Sequence, residues 1–299
     1  MAFETERVRM PVAVGQRADR RAALFQESLT ERAARWALGM AWVMSPKRIR
    51  GVPNLLHLCF EEFLAPNYAL PDPESAADEP PGLAGIVHDL SAPMLVSAYR
   101  RGLYPFAHIA PLKWWSPPRR SILFFDELHL ARRLRRQMRQ GGYTVTFDRD
   151  FEGVISACAG HRQGRWHLTW ITPRIMRAYA ELYDSGYAHS FEVWNERGAL
   201  VGGGYGVAVG RAFTTESQFS REPNTSKIGF AVLNWHLAHW GFAFNDGKLM
   251  TPTCHDMGFR EIPRSEYLDR LAQASRSPDK KSRWQVETNV SAVADWQPG

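Results

Sequence analysis

The chain has 299 residues, 44% hydrophobic and 23% charged, enough for a full core and for two domains of ordinary size. A formal charge of +6 and a pI near 9.4 point either to a polyanionic partner, nucleic acid or an anionic membrane, or to a merely basic surface. Cys59, Cys158 and Cys254 stand at unpaired spacings, which excludes a disulfide framework and a C-x-x-C metal site, and no apolar run approaches the ~18 residues of a spanning helix. The opening MAFETERVRM lacks the apolar stretch of a secretory signal. A monomer in a reducing, cytoplasmic compartment, without stable membrane insertion, is expected.

Residues 1–81 read as an N-terminal extension and linker. Residues 1–20 are polar and Arg-rich, and residues 21–43 carry Leu24, Leu29, Ala33, Trp36 and Met40 at near-helical spacing. Such a basic amphipathic helix either lies on a membrane or packs on a neighbouring domain, and the second is the expectation. Residues 65–82, rich in proline, acid and small residues, read as a linker. A small domain is expected over 82–118, with a helix opening at Asp89-Leu90-Ser91, tolerating Pro93 in its first turn and stopping at Gly102.

A larger domain is expected over 119–274. Strands are predicted at 121–125 and 143–147, with helices at 128–139, 151–158 and 173–183. Strands at 190–194 and 200–209 flank Asn195-Glu196-Arg197-Gly198, a good hairpin turn, and a third at 211–216 extends the meander. An apolar helix at 226–240, a strand at 242–246 and a helix from Ser265 complete an α+β domain with a mixed sheet flanked by helices. The polar tail, 275–299, is expected to be disordered.

Around that first helix of the larger domain, residues 129–140, HLARRLRRQMRQ, place Leu130, Ala131, Leu134 and Met138 on one face. Arg132, Arg133, Arg135, Arg136 and Arg139 fan over the other. Five arginines with no carboxylate among them suit phosphate oxygens and give affinity without sequence discrimination. The glycines of LVGGGYGVAVG lie inside an alternating strand, not on a strand-to-helix turn, so a dinucleotide site is rejected. Small residues there let a backbone or a ligand approach closely. Glu216, among Thr214, Thr215 and Ser217, is either a hydrogen-bonded structural carboxylate or a catalytic one. His189 supports the fold. Cys254-His255-Asp256 resembles a nucleophile set in letters alone, since such sets are assembled from distant segments.

Several pieces carry a specific resemblance. They include Asp89-Leu90-Ser91, Ala98-Tyr99-Arg100-Arg101-Gly102-Leu103, Trp114-Trp115-Ser116-Pro117 and Thr169-Trp170-Ile171-Thr172. Ala188-His189-Ser190, Glu192-Val193-Trp194, Leu200-Val201-Gly202-Gly203, Glu216-Ser217 and Glu261-Ile262-Pro263-Arg264 follow in order. The chain resembles the leucyl/phenylalanyl-tRNA–protein transferases over about residues 82–272. The resemblance implies a small N-terminal domain joined to a GNAT-like acyltransferase domain that uses aminoacyl-tRNA in place of acyl-CoA. It implies transfer of Leu, Phe or Met to a protein with a free N-terminal Lys or Arg, which marks it for degradation, without metal, nucleotide or prosthetic group.

The resemblance also places the site. A gap-free register puts Asp246 and Lys248 where the family has the Asp and Gln of Asp-Cys-Gln, which act on the attacking amine. A gapped alternative puts Thr251 and Thr253 there. Asp246 is expected to accept from the amine; Lys248, a donor only, binds a phosphate or the oxyanion. Asp246, Lys248 and Glu216 are thus the expected catalytic residues. Phe106, standing for the usual Trp, is expected to form an apolar pocket with Trp170 and Phe213, and Gly204 and Thr215 to contact the substrate. Two alternatives stay open: a different amine acceptor, or a tRNA-binding module that has lost catalysis.

Overall fold

The computed structural model describes residues 14–161 and 168–297. The N-terminal extension forms α1 (Val14–Leu24), α2 (Leu29–Val43) and α3 (Val52–Leu64). The single expected helix is thus broken at Phe25–Ser28, where Ser28 and Glu31 cap α2 reciprocally. The 65–82 stretch is not a free linker throughout, since Pro73 and Ala76 are buried.

The small domain comprises β1 (Leu83–Ile86), α4 (Ala92–Arg100), β2 (Tyr104–Phe106) and β3 (Lys113–Trp115), with strand order β1-β3-β2. The larger unit continues with β4 (Arg119–Leu123), α5 (Arg132–Gln140), β5 (Tyr143–Phe147), α6 (Phe151–Ala159) and α7 (Pro173–Asp184). Then come β6 (Ala188–Asn195), β7 (Leu200–Val209), β8 (Ala212–Ser220), α8 (Thr225–His239) and β9 (Phe244–Lys248). The chain ends with α9 (Pro252–Asp256), β10 (Arg260–Pro263), α10 (Arg264–Ala274) and α11 (Val290–Asp295).

Seven strands form one mixed sheet in the order β10-β4-β9-β8-β7-β6-β5. Every neighbouring pair is antiparallel except β8 and β9, which α8 connects in parallel. The β6–β7 hairpin follows from its turn: the Asn195 side chain accepts from the backbone of Arg197 and Ala199, and Gly198 takes φ 69°. Helices α4, α6, α7 and α10 cover one face of the sheet with Leu95, Tyr99, Ile155, Tyr179 and Leu271. Helices α5, α8 and α11 cover the other with Leu134, Phe230, Leu233 and Val293. The apolar circumference of α8 is explained by its burial between the sheet and these neighbours.

The tail departs from expectation. Trp284 is 2% exposed, stacked on His189 at 3.7 Å, and its backbone N–H donates to Asp148. One buried indole and the short α11 anchor a segment whose average composition is polar.

Candidate active site

β8 and β9 pair at Ala212–Phe244, Phe213–Asn245 and Thr214–Asp246, and there the pairing ends. β8 runs on to Ser220 against β7, with a bulge: Ser217 faces Tyr205 and Thr215 faces Gly206, leaving Glu216 as the extra residue. A cleft of ≈ 1390 Å³ opens between the diverging strands, lined by Thr215, Glu216, Ser217, Gln218 and Lys248 among others.

Two carboxylates flank the point of divergence. Asp246 is 0% exposed. It accepts from Arg120 Nε at 2.9 Å and Nη2 at 2.7 Å, from Tyr267 Oη at 3.0 Å, from Thr214 Oγ1 at 3.3 Å and from the Lys248 backbone N–H at 2.8 Å. Burial alone would lower the Arg120 pKa, but Asp246 more than offsets it and holds the guanidinium above its ordinary value. Both Asp246 oxygens are committed to protein donors, and the side chain does not line the cleft. Asp246, expected to accept from an attacking amine, here bonds Arg120 and the Lys248 backbone and stands behind the cleft wall.

Glu216 is 7% exposed and does line the cleft. Its Oε1 accepts from Tyr99 Oη at 2.7 Å and its Oε2 from Lys248 Nζ at 2.8 Å. Tyr99 Oη is in turn bonded to Tyr179 Oη. Burial, reinforced by Glu216, raises both phenol pKa values well above normal, so both stay protonated donors. Lys248 has a left-handed backbone, φ 66°, unusual for a side-chain-bearing residue and held by the bond from its N–H to Asp246. Its ammonium lies 5.3 Å from the Tyr104 ring and 5.5 Å from the Trp170 ring. Nζ also donates to the Glu216 carbonyl at 3.2 Å, using backbone that β9 no longer pairs.

Of the expected pocket residues, Phe106 and Trp170 meet at 5.6 Å between ring centroids. Phe213 does not join them. It alternates with Thr214, so it points to the opposite face, 1% exposed and 5.7 Å from Trp284. Gly204 does not itself line the cleft; a Cβ there would lie 2.7 Å from the Phe191 ring and 2.8 Å from Cγ of the cleft-lining Gln218, so the missing side chain lets both approach. Thr215 reaches the cleft rim and donates to Asn245 Oδ1 at 2.8 Å. Asp246 and Lys248 stand on β9 beside β8, whereas Thr251 caps α9 and Thr253 lies within it.

The basic helix α5 buries Leu134 and Met138. Its arginines divide into two groups. Arg132, Arg133 and Arg136 are exposed or half-exposed on the outer face. Arg135 donates to the carbonyls of Leu130, Ala294 and Trp296, and Arg139 pairs with Asp295 at 2.7 Å, so these two hold the C-terminal helix. Gln137 and Asn224 hydrogen-bond each other, which joins α5 to the turn before α8, close to Arg221 and Ser226 on the cleft wall.

Sequence reasoning missed Tyr99, Tyr179, Arg120 and Tyr104 as site residues. Tyr99 sits inside one of the matching motifs, but Arg120 meets Asp246 across 126 residues and only the sheet order brings them together. Among the described residues no group of three or more His, Cys, Asp or Glu is arranged to hold a metal ion, and no helix is long and apolar enough to cross a membrane.

The sequence pattern of the leucyl/phenylalanyl-tRNA protein transferases matches residues 122–272, and that of their N-terminal domain matches residues 88–118. The leucyl/phenylalanyl-tRNA–protein transferase of Pseudomonas syringae pv. syringae is 47% identical over 209 residues, 70% of this chain and 90% of the relative. The protein of the same name from Azotobacter vinelandii is 47% identical over 204 residues, 68% of this chain and 89% of its own. That of Alkalilimnicola ehrlichii is 43% identical over 230 residues, 77% and 89% of the two chains. With both patterns placed in order on the two sheets, the chain belongs to the leucyl/phenylalanyl-tRNA–protein transferase family.

Proposed function

We propose that this chain moves Leu, Phe or Met from its tRNA ester to the N-terminal amino group of a protein that begins with Lys or Arg, marking it for degradation. The observation that carries the reading is the Glu216–Lys248 ion pair on the wall of the open cleft. The lone pair of the amine attacks the ester carbonyl carbon, the bond from that carbon to the terminal ribose oxygen breaks, and the oxygen leaves with a proton. Glu216 is the group to take a proton from the amine, with Tyr99 and Tyr179 holding it in place. Lys248 faces the oxygen on which charge develops. Asp246 acts through Lys248, as a positioning residue. The ester is already activated, so positioning and charge stabilisation suffice.

Phe106 and Trp170 give an apolar wall for the transferred side chain or the terminal base. One methylene against such a wall is worth only about 1–3 kcal/mol, which accords with tolerance among large apolar amino acids. Arg132, Arg133 and Arg136 face the tRNA phosphates. A bulged strand parting from its parallel neighbour beside the reacting groups accords with a GNAT-like transferase domain over 119–274, preceded by a small domain over 82–118. We place the protein in the cytoplasm, as a monomer.

The test is transfer from Phe-, Leu- and Met-tRNA to peptides of varied N-terminus by the purified full chain. Activity on Arg- and Lys-initiated peptides is expected, and transfer of Asp or Lys at equal rates would contradict the apolar wall. A second reading keeps the donor and changes the acceptor, because the Lys248 ammonium repels an incoming cationic residue. Under it, wild type is poor on Arg- and Lys-initiated peptides and Lys248→Gln gains activity on them.

A further inference from the structure

Both family patterns begin after α1, α2 and α3, yet α1 and α2 are firmly seated on the transferase. Arg20 pairs with Asp150 at 2.7 Å, Arg21 with Glu152 at 2.9 Å and Asp184 at 2.6 Å, and Phe25 enters the core at 2% exposure. Helix α2 crosses the 107–112 segment so closely that a Cβ on Gly39 would lie 2.9 Å from the His108 carbonyl oxygen. Between α2, that segment and the start of α7 lies a second cleft of ≈ 590 Å³.

Its lining has one sign. Arg32, Arg35, Arg174 and Arg177 face it, and among the described residues the only acidic lining residue, Glu27, is neutralised by Arg35 at 2.6 Å. No salt bridge with a described residue engages Arg32, Arg174 or Arg177. Trp36, 39% exposed, stands on one wall, and Trp170 on another. Trp170 is also the ring over which Lys248 Nζ sits, so this cleft abuts the reacting groups.

We propose that the second cleft binds the single-stranded 3′ end of the donor RNA, with bases on Trp36 and Trp170 and phosphates on Arg32, Arg174 and Arg177. Aromatic platforms interleaved with arginines suit an unpaired strand, because every base has a face to stack and every nucleotide a phosphate. An acceptor that begins with Lys or Arg meets repulsion in the same place. The inference rests on the reading that the donor is an aminoacyl-tRNA. The N-terminal extension then serves as a wall added to the donor site.

The test is binding of a fluorescent single-stranded RNA octamer ending in CCA to the full chain at several salt concentrations. The variants are Arg32→Glu/Arg174→Glu, Trp36→Ala, and Lys47→Glu/Arg50→Glu, an equal charge change on exposed residues outside the cleft. The double cleft variant is expected to bind at least roughly tenfold more weakly, with the slope of log affinity against log salt shallower by about 1.4, at about 0.7 per phosphate contact. Trp36→Ala should weaken binding with the slope unchanged, and the outside pair should change both far less. Equal losses inside and outside the cleft, or no binding of the octamer by wild type, overturn the proposal. So does a variant whose octamer affinity is intact while its KM for the acceptor peptide rises, which would assign the cleft to the acceptor. Charge-dependent octamer binding by a chain that transfers from no aminoacyl-tRNA would instead remove the proposed function and leave the cleft standing.

Discussion

Asp246 and Glu216 are two carboxylates built from the same parts and given different access to the cleft. Each is met by one cation and one tyrosine, Arg120 and Tyr267 for the first, Lys248 and Tyr99 for the second. The Tyr104 ring lies against both cations, 4.9 Å from Arg120 and 5.3 Å from Lys248. The difference is where the strands part. Asp246 lies at the last paired position of β8 and β9, sealed and fully bonded, whereas Glu216 sits on a bulge beyond it, at the cleft. A buried ion pair with no access can only position its neighbours, and the same chemistry one step past the end of a sheet pairing can meet a substrate.

The largest expected effect strikes the closed end. Asp246→Asn leaves Arg120 buried without its counter-charge, and breaking such a pair costs about 3–5 kcal/mol. Thermal melting should therefore register this variant strongly, and an unchanged melting temperature would break the contrast between the two carboxylates.

A pH experiment reaches the open end from outside. His108 touches Trp42 of α2 and Phe106 at the site, and burial pulls its pKa down to about 4. A histidine depressed in the folded state contributes stability that is present above its unfolded value, about 6.5, and is lost as pH falls through about 4. Between pH 7.5 and 4.5, wild type should lose about 2 kcal/mol more stability than His108→Phe, allowing for the partial exposure of the ring. Equal pH slopes for the two proteins would contradict it.

The basic helix sharpens the same distinction between structural and free charge. Arg132→Glu, Arg133→Glu and Arg136→Glu together should weaken tRNA binding by roughly tenfold or more and flatten its salt dependence by about 0.9 per lost contact. Arg135→Glu and Arg139→Glu should instead loosen α11 and lower the melting temperature. The smallest effect is at Lys248. Its replacement by Gln keeps a donor but loses the charge, and transfer to every acceptor should slow by about tenfold. A gain on Arg- or Lys-initiated peptides would transfer support to the changed-acceptor reading.

How much of this was legible in the sequence follows from the range of each interaction. Alternation and turn chemistry gave β6, β7 and their hairpin, and the apolar run gave α8. Four-residue β10, with Arg260 and Glu261 exposed at the sheet edge, carries no periodic signal. The tail was hidden because its apolar anchors, Trp284 and Val293, are sparse among polar residues. At the site, Glu216 and Lys248 were readable as residues, but the part each plays depends on the bulge and on where pairing stops. Phe213 packs against Trp284, away from Phe106 and Trp170, and the sequence shows alternation without saying which face is the cleft. Tyr99 reaches Glu216 across 117 residues, a proximity that only the packing of α4 against the sheet creates.

The central claim is that the open pair carries the chemistry, and the most direct measurement is single-turnover transfer from Phe-tRNA to an Arg-initiated peptide by Glu216→Gln. The side chain keeps its shape; its one amide oxygen accepts from Tyr99 or Lys248 but not from both. Lys248 keeps its bond to the residue 216 carbonyl, and the rate is compared only after melting and tRNA affinity have shown the variant folded and binding. The rate should fall by about 10²–10⁴-fold, the usual contribution of a positioned general base. A wild-type rate in a folded, tRNA-binding Glu216→Gln protein would contradict the account.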